Sequence, residues 1–221
     1  MVSLRVPVTA LAVLALACGD GVPSAPGLPE LPGETFELRV GQTVAFDGGA
    51  VSVTFRRVLE DSRCPIDAYC IWAGNATIEL VVTIDGEPTV AELNTLLDPT
   101  GAEVGRYDLT LLELEPLPRG GKTTPPDRYV ASLHFVHLPP DAFRVDGHVR
   151  FVNVEGGCWV IDAADGTRYE PVNLPEAFRS DGLPVRAALK PRPDLASICM
   201  VGEIVELLSI RRRIEAVAYG G

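Results

Sequence analysis

The chain has 221 residues, of which 47% are hydrophobic and 22% are charged, and its formal net charge is −11. This composition predicts a folded core and argues against a disordered chain. The acidic balance argues against nucleic acid as a partner, because a phosphate backbone attracts a basic surface. The 21 Gly and 19 Pro interrupt long helices and favour short strands joined by turns.

Residues 1–17 have the pattern of a secretory signal peptide. Arg5 supplies a positive charge, and the apolar run from Val6 to Ala17 is too short to span a bilayer as a helix. The segment that ends in Ala17-Cys18 resembles the bacterial lipobox, in which a small residue precedes a cysteine that becomes lipidated. The resemblance implies that Cys18 carries acyl chains and that the mature protein is held on a membrane. The alternative is an ordinary secretory peptide in which Cys18 is incidental.

Residues 18–33 contain the lipidated cysteine and a Pro-rich spacer. Prolines recur at every third position, which matches the three residues per turn of polyproline II; they are Pro23, Pro26, Pro29 and Pro32. An extended spacer of this length would hold the folded part roughly 45 Å from the lipid. A flexible tail with chance proline spacing is the alternative, and both interpretations place the segment outside the fold.

Four cysteines remain once Cys18 is assigned to the anchor, and an even number in an exported chain predicts a disulfide framework. Three pairings are possible. We predict Cys64–Cys70 and Cys158–Cys199, because each pair then lies within one of two predicted domains. The expected location is extracytoplasmic, on the membrane of the cell envelope, in the periplasm or at the cell surface.

Residues 34–138 are predicted to form a β-sandwich with immunoglobulin-like packing. Apolar and polar residues alternate along several short segments, which is typical of strands with one buried face, and about seven strands can be counted. Asp85-Gly86 is a strong hairpin signal. The apolar positions change phase between Leu111 and Leu112, which predicts a β-bulge.

Residues 145–214 are predicted to form a small OB-like β-barrel. Pro139-Pro140-Asp141 marks the boundary, and the expected element order after it is three strands, one short helix at 174–179 and two more strands. The alternative is a single larger sandwich in which this segment is the second sheet. The predicted fold is all-β in either case.

The most distinctive motif is DSRCP-x4-CIWAGNA at residues 61–76. We expect a cross-linked turn in which Asp61 accepts backbone N–H bonds, Arg63 pairs with Asp61 or Asp67, and Trp72 packs on the bridge or the core. The alternative is a binding tip with Tyr69 and Trp72 as aromatic contacts and with Arg63 as a further candidate binding residue. The motif resembles one that recurs in uncharacterised bacterial lipoproteins, and this resemblance implies location and fold but no activity.

The second half of the chain resembles small secreted OB-type domains, in which a bridge ties an early strand to the loop before the last strand. The resemblance implies a binding face, for which Trp159, Arg168 and Tyr169 are the candidates. The alternative places Trp159 in the core and leaves Arg168 as a solvated strand residue.

No catalytic constellation is apparent, since GxSxG is absent and His134 and His137 are expected on opposite faces of a strand. We therefore predict a non-enzymatic binding or structural module without cofactor or metal. Its expected partners are a membrane through the lipid anchor and an envelope protein or glycan. Two alternatives stay open: an inhibitor of extracellular proteases acting through residues 61–74, and a carbohydrate-active enzyme with paired carboxylates.

Overall fold

The computed structural model describes residues 31–154 and 156–214. The predicted signal peptide, Cys18 and the spacer up to residue 30 lie outside the described residues. The described chain is all-β, with two four-stranded sheets followed by a closed five-stranded barrel. The predicted order of a sandwich followed by a small barrel is confirmed.

The sandwich contains eight strands. One sheet has the order β1-β8-β7-β6 and the other has the order β2-β3-β4-β5. Neighbouring strands are therefore mostly joined by hairpins, whereas antibody domains use Greek-key connections. The strands are β1 (Glu34–Arg39), β2 (Thr43–Phe46), β3 (Val51–Asp61), β4 (Ala76–Ile84), β5 (Glu87–Asn94), β6 (Gly101–Val104), β7 (Tyr107–Glu115) and β8 (Val130–His137).

The strand count exceeds the predicted seven because the chain turns at Gly105, which has a φ of +59°. β6 ends before this turn and β7 begins after it, so the short segment before Gly105 is a strand of its own. The predicted bulge is confirmed, since the β7–β8 register shifts between Leu111 and Glu113. The bulge lets Leu111 and Leu114 both point into the core that the two sheets share.

The barrel contains five strands in the closed order β10-β11-β13-β12-β9. The third and fifth of these strands in chain order, β11 and β13, run parallel, and the other pairs are antiparallel. The short helix predicted at 174–179 is a single 3-10 turn at Glu176–Phe178. The first barrel strand begins at Phe143, before the predicted start of the domain at residue 145. The strands are β9 (Phe143–Val152), β10 (Cys158–Ala163), β11 (Arg168–Pro171), β12 (Pro184–Pro191) and β13 (Glu203–Arg212).

The two domains share an apolar junction. Val136 and Leu138 at the end of the sandwich pack with Ala188 and Leu208 of the barrel, and all four side chains are buried. Leu31, at the start of the described chain, packs against the barrel core before β1 enters the sandwich. The described chain therefore begins beside the barrel and enters the sandwich at β1.

Ion pairs reinforce this junction. Glu103 of β6 accepts hydrogen bonds from Arg186 at 2.8 and 2.9 Å and also pairs with Arg211, and both arginines belong to the barrel. Asp108 of β7 pairs with Arg144 of β9 at 2.7 Å. The hydrogen bond from Arg186 lowers the pKa of Glu103 from 4.5 to about 2, although burial acts in the opposite direction. These contacts join sandwich to barrel through charged groups that are largely removed from water.

Candidate functional site

The loop between β3 and β4, residues 62–75, is closed at its base and is called the stapled loop here. A disulfide joins Cys64 to Cys70, whose Cα atoms are 5.9 Å apart. The Ser62 N–H donates to the Asn75 carbonyl at 2.7 Å, and the Cys64 N–H donates to the Ala73 carbonyl at 2.9 Å. The pairing of β3 with β4 thus continues into the loop, and the disulfide closes the segment beyond it.

Gly74 is required by the close approach of the two arms of the stapled loop. Its φ is +71°, and a Cβ atom at this position would clash with the backbone of Ser62 and Arg63. Any residue with a side chain would therefore push the arms apart.

A buried ion pair supports the stapled loop from beneath. The guanidinium of Arg63 donates to both carboxylate oxygens of Asp61, at 2.8 and 2.7 Å, and the Arg63 N–H reaches Asp61 at 3.2 Å. The predicted turn at Asp61 is thereby observed. Arg63 also donates to the carbonyl of Leu114 and, at 2.9 Å, to that of Pro116, so it ties the loop to the end of β7.

The protonation of Asp61 follows from two opposing effects. Burial by itself would raise the pKa of Asp61, but the hydrogen bonds and charge of Arg63 outweigh it, so the pKa lies below its ordinary value. The Tyr129 hydroxyl donates a further bond to Asp61 at 3.0 Å. Arg63 is only 9% exposed, so its guanidinium holds the loop and forms no part of the surface that Tyr69 and Trp72 offer.

The loop that follows β7, residues 116–125, packs along the stapled loop and is called the flanking loop here. The Ile66 N–H donates to the Pro118 carbonyl at 3.0 Å, and the Gly120 N–H donates to the Asp67 carboxylate at 2.7 Å. Asp67 is thus engaged by the flanking loop and not by Arg63. This support fixes the stapled loop on a second side.

The tip of the stapled loop is apolar and faces solvent. Tyr69, Ile71 and Trp72 have relative exposures of 103%, 90% and 83%. The expectation that Trp72 packs on the bridge or the core is therefore wrong. The physical reason is that the disulfide closes only residues 64–70. Trp72 lies outside this short loop, where no other side chain covers it. Tyr69 and Trp72 are thus both exposed on the stapled loop, three positions apart in the sequence.

The barrel places its three predicted contact residues in different environments. Tyr169 is only 7% exposed and its ring lies 5.4 Å from that of Phe143, so it belongs to the core and not to a binding face. Trp159 is half-buried against the same core. Arg168 is exposed and pairs with Asp162 at 2.6 Å. Neighbours along a strand point to opposite faces, which is why Arg168 and Tyr169 do not share a surface.

The predicted Cys158–Cys199 disulfide is present, with Cα atoms 6.4 Å apart, and it joins the start of β10 to the loop before β13. Both disulfides therefore match the predicted pairing, and they indicate an oxidising, extracytoplasmic environment. Ile198 and Met200, on either side of Cys199, are exposed. No sequence pattern selects them, since a lone apolar residue in a loop does not reveal whether it is covered.

A groove of about 1030 Å³ separates the outer face of the β1–β8–β7 sheet from the barrel. Glu37 and Glu113 line it on either side of Ser132, which pairs with both, so their Cα atoms lie about 10 Å apart. Both carboxylates are on the exposed surface of the groove. This pair is one candidate for the predicted alternative of a carbohydrate-active enzyme, which stays a prediction.

Comparison with family models, curated proteins and solved structures gave no match to this chain. Within residues 31–154 and 156–214, no cluster of three or more His, Cys, Asp or Glu side chains is arranged to hold a metal ion. The helical segments of the same residues are too short to cross a membrane. The candidate site is therefore assigned from geometry alone, and it is the tip of the stapled loop.

Proposed function

We propose that this chain is a lipid-anchored, extracytoplasmic protein of the cell envelope that acts as a non-enzymatic binding module through the stapled loop. The Cys18 sequence context and its resemblance to the lipobox support the anchor. The two disulfides support the extracytoplasmic location. The arrangement of the tip supports binding.

One observation carries the proposal: three apolar side chains stand almost fully exposed on a base that is held rigidly. Single exposed apolar residues are common, but three within four residues of one rigid loop, two of them aromatic, point to a contact site. Tyr and Trp dominate the binding energy of many interfaces, and a rigid loop loses little conformational entropy when it binds. Arg63, the disulfide and the flanking loop supply that rigidity here.

Site-specific crosslinking in the native cell tests the proposal. A photoreactive phenylalanine analogue replaces Ile71 at the tip, and the control variant carries it in place of Val90, which is 55% exposed on an outer strand of the sandwich. We expect discrete adducts with an envelope component from position 71, reduced by Trp72→Ser, and none from position 90. Equal labelling from the two positions would contradict a binding role for the tip.

A second candidate, the protease inhibitor, is favoured by the same rigid base. Proteases take up extended segments, however, and the backbone of the stapled loop turns at residues 66–67 and bends at 71–72. The crosslinking experiment separates the two candidates. A secreted protease captured from position 71 and inhibited by micromolar unlipidated protein would establish the second candidate in place of the first.

A further inference from the structure

We infer that the tip of the stapled loop inserts into the interface of the bilayer that carries the lipid anchor. The sandwich would then stand on the membrane, with the barrel displayed away from it. The inference rests on the proposed function and names the component that the tip binds.

The side chains of the tip suit the boundary between headgroups and hydrocarbon. Tyr69 and Trp72 combine an apolar ring with a polar handle, and such residues concentrate at membrane interfaces. Ile71 lies between them in sequence and is wholly apolar. Ile66 and Leu117, on the stapled and flanking loops, are about half-exposed and extend the apolar surface behind the tip.

The area of the tip favours a lipid surface over a folded protein. An aromatic side chain buries about 150–250 Å² when fully covered. The three tip side chains together therefore offer roughly 500 Å², whereas a standard protein interface buries about 800 Å² on each partner. A bilayer needs no complementary surface around the tip, because apolar area enters it without a matching shape.

Backbone N–H groups at the base of the stapled loop are already paired, which lowers the penalty for bringing the base close to the interface. The N–H groups of Ser62, Cys64 and Ile66 all donate to backbone carbonyls within the stapled and flanking loops. An unpaired N–H or carbonyl costs several kcal/mol in hydrocarbon. The paired base can therefore approach the interface without exposing such groups.

Two cations lie on the flanking loop, beside the stapled loop. Arg119 and Lys122 are exposed on the flanking loop, next to Gly120, which binds Asp67 of the stapled loop. Each basic residue near an anionic membrane contributes about 1 kcal/mol. The net charge of −11 opposes such a membrane, but charges more than about 8 Å away are largely screened at physiological salt. The carboxylate of Asp67 lies beside Gly120 and offsets one of these two positive charges, so the apolar side chains supply most of the affinity.

The anchor can reach the same bilayer. β1 runs from the domain junction towards the end of the sandwich that bears the stapled loop, because its last residue, Arg39, pairs with Val130 beside Glu115. Six residues of strand and the height of the loop place the tip about 30 Å from Leu31. Cys18 lies 13 residues before Leu31. An extended proline-rich chain of that length reaches about 40 Å, which is enough to return to the membrane.

The two tryptophans of the chain, Trp72 and Trp159, provide the test and its control. The mature chain carrying Cys18→Ser, which cannot be acylated, is prepared with Trp159→Phe so that fluorescence reports on the tip alone. Phosphatidylcholine vesicles with and without phosphatidylglycerol are added. We expect a blue shift of Trp72 emission and quenching by lipids brominated near the headgroup end of the acyl chains. The matched variant Trp72→Phe, which reports on Trp159 in the barrel, should show neither response.

Substitutions at the tip should then weaken vesicle binding in proportion to the apolar area that is removed. Ile71→Ser should lower the partition coefficient about tenfold. Val90→Ser, which removes a half-exposed side chain on an outer strand of the sandwich, should leave it unchanged.

Unchanged Trp72 emission in millimolar lipid would overturn the inference. A protein adduct from position 71 together with that result would leave the proposed binding function standing with a protein as its partner. Vesicle binding by a chain whose native form lacks acylation at Cys18 would instead support the tip and remove the anchor.

Discussion

Arg63→Ala should lower the free energy of unfolding by about 3–5 kcal/mol, since removal of one partner leaves a buried charge without compensation. The carboxylate of Asp61 would lose both bonds from the guanidinium, and the carbonyls of Leu114 and Pro116 would lose their donors. The pKa of Asp61 should rise in this variant, because burial would act without the opposing effect of Arg63. Urea unfolding of the wild type and the variant at neutral pH measures the change.

A second variant separates the ion pair from general disruption of the loop. Asp61→Asn together with Arg63→Met removes both charges, so it should destabilise the protein less than Arg63→Ala alone. Arg119→Ala, at an exposed site on the flanking loop, should change stability by less than about 0.5 kcal/mol. A loss below 1 kcal/mol for Arg63→Ala would show that the ion pair does not hold the stapled loop.

Glu103→Gln should weaken the contact between sandwich and barrel. The free energy of unfolding of this variant should also depend less on pH under acidic conditions. The pKa of Glu103 is about 2 in the folded protein and its ordinary value is 4.5. A lowered carboxyl pKa stabilises the folded state above the ordinary value, and the stabilisation disappears as pH falls from about 4.5 towards 2. The difference corresponds to about 3 kcal/mol, and the side chain is only 22% exposed, so solvent screens little of it.

The measurement compares unfolding free energies at pH 7 and pH 3 for the wild type, Glu103→Gln and the control variant Glu113→Gln. Glu113 lies on the same sheet but is exposed at the groove. The wild type and the control should lose stability between the two pH values by a similar amount, and Glu103→Gln should lose less. A parallel loss in all three proteins would show that Glu103 does not link the domains.

Sequence patterns predicted the features that depend on local repetition. The alternation of apolar residues located most strands, the phase change at Leu111 located the bulge, and the even number of cysteines predicted two disulfides. The element order after residue 140 predicted the barrel. Each of these signals lies within a short stretch of chain, so neighbouring residues alone reveal it.

The features that were missed depend on what covers a side chain in three dimensions. The sequence favours a packed Trp72 and offers Tyr169 only as a candidate for a binding face, because an aromatic residue serves equally well in a core and on a surface. The ion pairs of Glu103 join residues 83 and 108 positions apart, and no local pattern links such distant charges. The sequence left two alternatives for residues 61–76, a packed turn and an exposed tip. Only the folded shape of the stapled loop decides between them.

Intact-mass and peptide mass spectrometry of the protein from its native membrane tests the central claim most directly. We expect a mature chain that begins at Cys18, carries acyl groups there, and has no free thiol at Cys64, Cys70, Cys158 or Cys199. A product that begins at Met1 with free thiols at all of these positions would contradict it.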